Sequence, residues 1–160
     1  MSLTLLATDV ERLYRSRGHV VLRRARMLLG NEAEAQDALQ EVFASLLRAP
    51  DSVQVDVLGW LYQATTHWCL NLIRKRRNGA RAVEAQPRDE LPAPGGAETM
   101  AEVRRLLARL PAEVAAAAVY HYVDGMTHTE VAALLGCSRR QIGYLLERAQ
   151  EYVARVEQSA

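Results

Sequence analysis

Two helix-start signals stand only eleven residues apart in this chain, and together they constrain its fold more than any other feature. Thr127 with Glu130, and Ser138 with Gln141, each have capping-box spacing, and Gly136-Cys137 lies between them. The stretch "TEVAALLGCSRRQIGYLL", residues 129–146, therefore specifies two separate helices about a tight turn. Val131 and Leu135 face inward from the first, Ala132 is small at the crossing, Gly136 permits a left-handed turn, and Ile142 and Leu145 pack the second helix back. A purely structural hairpin wants the same inner residues, so the outer face has to decide. There Ser138, Arg139, Arg140 and Gln141 form the first turn of the second helix, with Tyr144 one turn later. Arginine can bond guanine and glutamine adenine bidentately, and helix N-terminal amides attract phosphate. Arginines at a helix N-terminus oppose the dipole, at a cost of a few tenths of a kcal/mol that a structural helix has no reason to carry. The pattern matches a helix-turn-helix, with these five residues as candidate DNA contacts.

The remainder also reads as all-α, because no run alternates apolar and polar residues long enough for a strand. Thr8 with Glu11 has capping-box spacing, and Val10, Leu13, Tyr14, Val21, Leu22, Ala25 and Leu28 follow one face until Gly30 ends the helix. Asn31 can cap a second helix with Ala35, Ala38, Leu39, Val42, Phe43, Leu46 and Leu47 inside. A loop over Ala49–Asp56 precedes a third helix, about Val57 to Arg77, with Trp60, Leu61, Ala64, Trp68 and Leu72 on its inner face. Thr99 with Glu102 starts another helix bearing Met100, Val103, Leu106, Leu107 and Leu110, and Pro111 suits the first turn of the next, which runs to Asp124-Gly125.

Between these groups, "NGARAVEAQPRDELPAPGG", residues 78–96, holds three prolines, three glycines and no apolar stripe, the composition of a flexible tether. The expected organisation is two small helical bundles joined by a flexible linker: residues 1–78, a linker over 79–97, and residues 98–160 with the helix-turn-helix. Charge divides the same way. The net charge of +1 conceals 12 Lys/Arg against 8 Asp/Glu in residues 1–81, and 8 against 11 in residues 82–160. Much of the N-terminal excess is "IRKRRNGAR", where Arg74, Lys75, Arg76, Arg77 and Arg81 form a candidate phosphate contact. Cations there would equally favour the negative end of a helix dipole.

With these elements placed, the chain resembles a small sigma factor of the extracytoplasmic-function group in the sigma-70 superfamily, from about Leu13 to Arg155. "GNEAEAQDALQEVFASLLR", residues 30–48, is similar to the family's motif for gripping the clamp helices of RNA polymerase core, which implies polymerase contacts for Asp37, Gln40 and Glu41. "GWLYQATTHWCLNLIRKRR", residues 59–77, resembles the helix that meets the minus-ten element, which implies DNA contacts for Tyr62, His67, Arg74, Lys75, Arg76 and Arg77. Of its aromatic residues, Tyr62 and His67 are expected to be exposed and Trp60 to be core. Residues 107–149 resemble the domain that binds the minus-thirty-five element. Departures are visible: Thr66 and His67 stand where the family has Arg-Asn, Asn71 replaces an acid, and Gly143 and Leu145 stand where Lys or Arg is common. The resemblance implies promoter-directed transcription initiation, with RNA polymerase core and promoter DNA as partners and an anti-sigma factor as a further one. A sigma-like interaction module that no longer opens DNA, or a stand-alone helix-turn-helix repressor, are the competing readings.

Other classes find little support. Cys69 and Cys137 lie far apart without a CxxC pair, no stretch is long and apolar enough to span a membrane, and the expected home is cytoplasmic. His19, His67, His121 and His128 are scattered, and neither a phosphate-cradling glycine loop nor a Ser-His-Asp arrangement is present. We expect no enzyme activity, cofactor or metal.

Overall fold

A computed structural model describes residues 7–49, 56–80 and 97–159. These residues are helical, with no strand among them: α1 (Ala7–Leu29), α2 (Glu32–Leu47), α3 (Val57–Ala80), α4 (Ala97–Arg109), α5 (Ala112–Ala118), α6 (His128–Leu135) and α7 (Arg139–Gln158). The chain divides into two compact units, 1–101 and 102–160. The segment expected to be a tether falls, for residues 81–96, outside the described residues.

In the first unit α1, α2 and α3 pack together around Val10, Val21, Leu39, Val42, Phe43, Leu46 and Leu61. Gly30, at φ 65°, reverses the chain after α1, and the Asn31 side chain accepts a hydrogen bond from the Glu34 N–H at 3.0 Å to open α2. An exposed bidentate pair spans this corner: Arg26 Nε and Nη2 each donate to Glu32 at 2.7 Å. Asp56 does for α3 what Asn31 does for α2, its carboxylate accepting from the Gly59 N–H at 2.9 Å.

Several local expectations are corrected. Thr8 and Thr99 lie inside α1 and α4 rather than capping them, and Glu11 pairs instead with Arg15 one turn on, at 2.7 Å. Leu47 at the end of α2 is exposed, because the core line of that helix finishes at Leu46. On α3 the buried line is Leu61, Thr65, Cys69 and Ile73, with Thr66 and Leu70 beside it, and Trp60, Ala64, Trp68 and Leu72 are only half-buried. The sequence hides this because two of the innermost residues are threonines. Each spends its hydroxyl on its own helix, Thr65 on the Leu61 carbonyl at 2.6 Å and Thr66 on that of Tyr62 at 2.9 Å, and so buries without an unsatisfied donor.

In the second unit α5 and α6 pack on α7. Pro111 caps α5 from just outside it, since its ψ of 152° is extended. The helix after it does not run on evenly: Val119–Val123 is a π-helical turn, with the Asp124 N–H reaching the Val119 carbonyl at 3.0 Å. Both bonds of the Thr127–Glu130 capping box are made, at 2.8 and 3.2 Å, and Gly136 ends α6 at φ 68°. Ser138 then opens α7 by accepting from the Gln141 N–H at 3.1 Å. Val131, Ile142, Leu145 and Leu146 are buried between the helices, while Leu135 is half-buried.

Candidate nucleic-acid interface

The turn at Gly136-Cys137 sets where the start of α7 points. With Ile142, Leu145, Leu146 and Ala149 facing α5 and α6, the opposite side of the first turn is left in solvent. Ser138, Arg139, Arg140 and Gln141 are all exposed there, and Tyr144 follows at 54% exposure with the Arg148 guanidinium 5.9 Å from its ring centre. The structure thus brings all five expected residues of this helix together and adds Arg148, whose spacing of four from Tyr144 was the available signal. Leu145 is a different matter. It is core, so it cannot occupy a phosphate-contacting position.

On α3 the expected DNA residues divide. His67 is exposed, and Asn71 Nδ2 donates to its Nε2 at 3.1 Å, while Arg74 Nη1 donates to Asn71 Oδ1 at 3.3 Å. That makes a polar ladder along one side of the helix, continued by exposed Lys75 and half-buried Arg77. Arg76 leaves this group. Its Nε donates to Glu34 at 3.0 Å and its Nη1 to the Leu29 carbonyl at 3.3 Å, so it ties α3 to the α1–α2 corner and is not a surface cation. Arg81 lies outside the described residues.

Tyr62 is half-buried, against the expectation of an exposed ring, and lies about 140° around α3 from His67 at 100° per residue. The cause is Arg24 of α1, whose guanidinium sits 3.8 Å from the Tyr62 ring centre and whose Nε donates to Thr66 Oγ1 at 2.8 Å. Thr66 is itself fully buried, so its difference from the family pattern falls in the interior and not on a DNA-facing surface.

The outer face of α2 presents Asp37 and Gln40 in solvent, with Glu41 half-buried and paired to Arg48 at 3.3 Å. Tyr14 belongs to this face too. It was expected inside, yet it is 38% exposed, stands edge-on to Phe43 at 5.2 Å and accepts a hydrogen bond from Gln40 at 3.4 Å.

Among the described residues no group of three or more His, Cys, Asp or Glu could hold a metal ion, and no helix is long and apolar enough to cross a membrane.

Comparison with known proteins bears on both units. Residues 13–79 match Sigma-70 region 2, and residues 100–151 match Sigma-70 region 4. Over 152 residues the chain is 30% identical to the ECF RNA polymerase sigma factor SigE of Mycolicibacterium smegmatis, covering 88% of this chain and 58% of that protein. It is 28% identical to the ECF RNA polymerase sigma factor SigM of Mycobacterium tuberculosis, covering 91% of this chain and 76% of that one. The chain therefore spans less than two thirds of SigE. Among solved structures, the sigma factor RpoE of Bartonella quintana, in complex with the anti-sigma factor NepR, aligns with a TM-score of 0.58 at 18% identity over 95% of this chain and 98% of its own. CnrH, in complex with the cytosolic domain of CnrY, aligns at 0.57 and 20% identity over 96% and 90%. Those two likenesses speak for the helical fold. Two family regions in this order, on the units that carry the acidic face of α2 and the exposed start of α7, make the chain a member of the sigma-70 family, in which SigE and SigM are extracytoplasmic-function factors.

Proposed function

We propose that this chain is a transcription initiation factor that binds RNA polymerase core and directs it to promoter DNA. The observation that carries the reading is the exposed Ser138–Gln141 turn at the start of α7, in a unit matching Sigma-70 region 4 and following one matching region 2. The polymerase contact is assigned to Asp37, Gln40 and Glu41, with Tyr14 beside them. An acidic face suits a basic partner helix. The DNA contact is assigned to Ser138, Arg139, Arg140, Gln141 and Tyr144 on α7, and to Tyr62, His67, Arg74, Lys75 and Arg77 on α3. Its site of action is the cytoplasm, it performs no catalysis of its own, and an anti-sigma factor is a further partner.

The test is run-off transcription from a mapped promoter with purified polymerase core, together with promoter binding over a salt series. Wild type is expected to start transcripts. The Arg139→Ala, Arg140→Ala double variant should lower the salt slope of binding by about 2, near one unit per phosphate contact. Core binding without transcripts would replace the reading with that of an interaction module, and failure to bind core would remove it.

A further inference from the structure

His121 and His128 stand seven residues apart in the sequence, where no spacing rule joins them, yet the fold brings their rings together with centres 4.9 Å apart and planes at 72°. The backbone between them is held at each step. The Asp124 N–H donates to the Val119 carbonyl and the Met126 N–H to that of Tyr120, both at 3.0 Å. Gly125 takes a left-handed φ of 71°, and the Thr127–Glu130 capping box fixes the start of α6. Val119 and Tyr120 are buried, so the wide turn that carries His121 is anchored in the core. One further bond settles the chemistry of the His121 ring, whose Nδ1 lies 2.7 Å from the Met126 carbonyl oxygen. A carbonyl can only accept, so Nδ1 carries the proton and Nε2 keeps its lone pair. An imidazole whose N–H is spent on a backbone carbonyl is the arrangement by which proteins orient a metal-ligating histidine.

Packing is a poor account of the pair. His128 is exposed at the first position of α6 and His121 is half-buried, so their edge-on contact removes little surface from water. The spacing fits a shared ion. With nitrogen about 2.0–2.1 Å from zinc and a tetrahedral angle, two imidazole rings on one metal have centres about 5 Å apart. The neighbouring Glu130 carboxylate is engaged by the Thr127 N–H at 2.8 Å, which leaves the other positions to water.

We infer that His121 and His128 form a two-histidine site for a first-row divalent transition ion of the kind that favours imidazole nitrogen, and that the bound ion clasps the turn before α6 to the first residue of that helix. His121 ligates through Nε2. The site does not depend on the initiation-factor reading, and Mg²⁺, which prefers oxygen, is not expected to enter it.

The test is titration of the full-length protein with Zn²⁺ alone, followed by calorimetry and by ¹H–¹⁵N spectra of the imidazole nitrogens, with Mg²⁺ as the control ion. One equivalent should bind, and the Nε2 resonance of His121 should shift while its Nδ1 stays protonated. His121→Ala and His128→Ala are each expected to weaken binding at least about tenfold, and the double variant to lose little more, because chelation needs both rings. His19→Ala, which removes an exposed histidine of the first unit, should bind as wild type does. His128→Ala takes nothing from the core and decides the matter if His121→Ala does not fold. Zn²⁺ should raise the unfolding midpoint of the second unit in wild type and leave it unmoved in either single variant. Binding that survives His128→Ala, or that is lost in Cys137→Ser or His19→Ala instead, would overturn the inference. So would a failure of the wild-type protein to take up Zn²⁺, and the pair would then be a ring contact only.

Discussion

Cys69 and Cys137 sit in opposite surroundings, and their chemistry should differ accordingly. Cys69 is fully buried in α3, and burial pushes its thiol up to about 12, with the Arg24 cation only partly offsetting this. Cys137 is half-buried in the turn before α7. An alkylating reagent at pH 8 is therefore expected to add once to the folded protein and twice after denaturation, as intact mass would show; rapid double labelling of folded protein would contradict this placement. Gly143 is a second residue whose environment makes a prediction. A Cβ added there meets nothing within 4 Å, and the site is helical, so Gly143→Ala should stabilise α7 by about 1 kcal/mol. Chemical denaturation would measure it. Lysine at the same position should instead steepen the salt dependence of promoter binding by about one unit.

Helix ends are where the elements were legible in the sequence, and long-range partners are where they were not. Asn31, Thr127 and Ser138 cap as their spacing requires, because a cap is settled within three or four residues of chain. Thr8 and Thr99 have the same spacing and do not cap, since nothing within three residues says whether the helix has already begun. Arg24, Arg76 and Thr66 could not have been assigned at all: Arg24 finds Thr66, and Arg76 finds Glu34, 42 residues away, and no local pattern announces either. For the same reason the start of α7 was readable as an exposed turn, while the division of the α3 residues was not. The α1–α2 corner gives a test at this scale. Arg26 first, and Gln36 after it, hold Glu32 down to about 2 from its ordinary 4.5. A depressed carboxylate contributes stability above its unfolded pKa and loses it as pH falls, so the contribution is whole at pH 6 and fades between about 4.5 and 2. The stability gap between wild type and Glu32→Gln should close across that interval in acid titrations followed by circular dichroism. A gap that stays constant with pH would assign the effect to packing of the side chain and not to its charge.

For the whole molecule, two compact units imply two cooperative transitions. Ile142 is fully buried in the second, and Ile142→Ala should cost roughly 3 kcal/mol there. Calorimetry is expected to show one transition lowered and the other unmoved, and a single transition shifting as a whole would mean that the units fold as one. The wide turn over Val119–Val123 has its own bearing on how such a chain tolerates change. It accommodates one residue more than an ordinary helical turn, upstream of the segment that presents Arg139 and Arg140. Loss of a codon inside it should let the backbone relax to normal pitch and leave everything downstream in phase. The same loss within the first turns of α7 would swing the following side chains by about 100° and bring Leu145 out toward water. Length variation in this lineage of sequences is thus expected to collect around His121 and to spare the hairpin that follows.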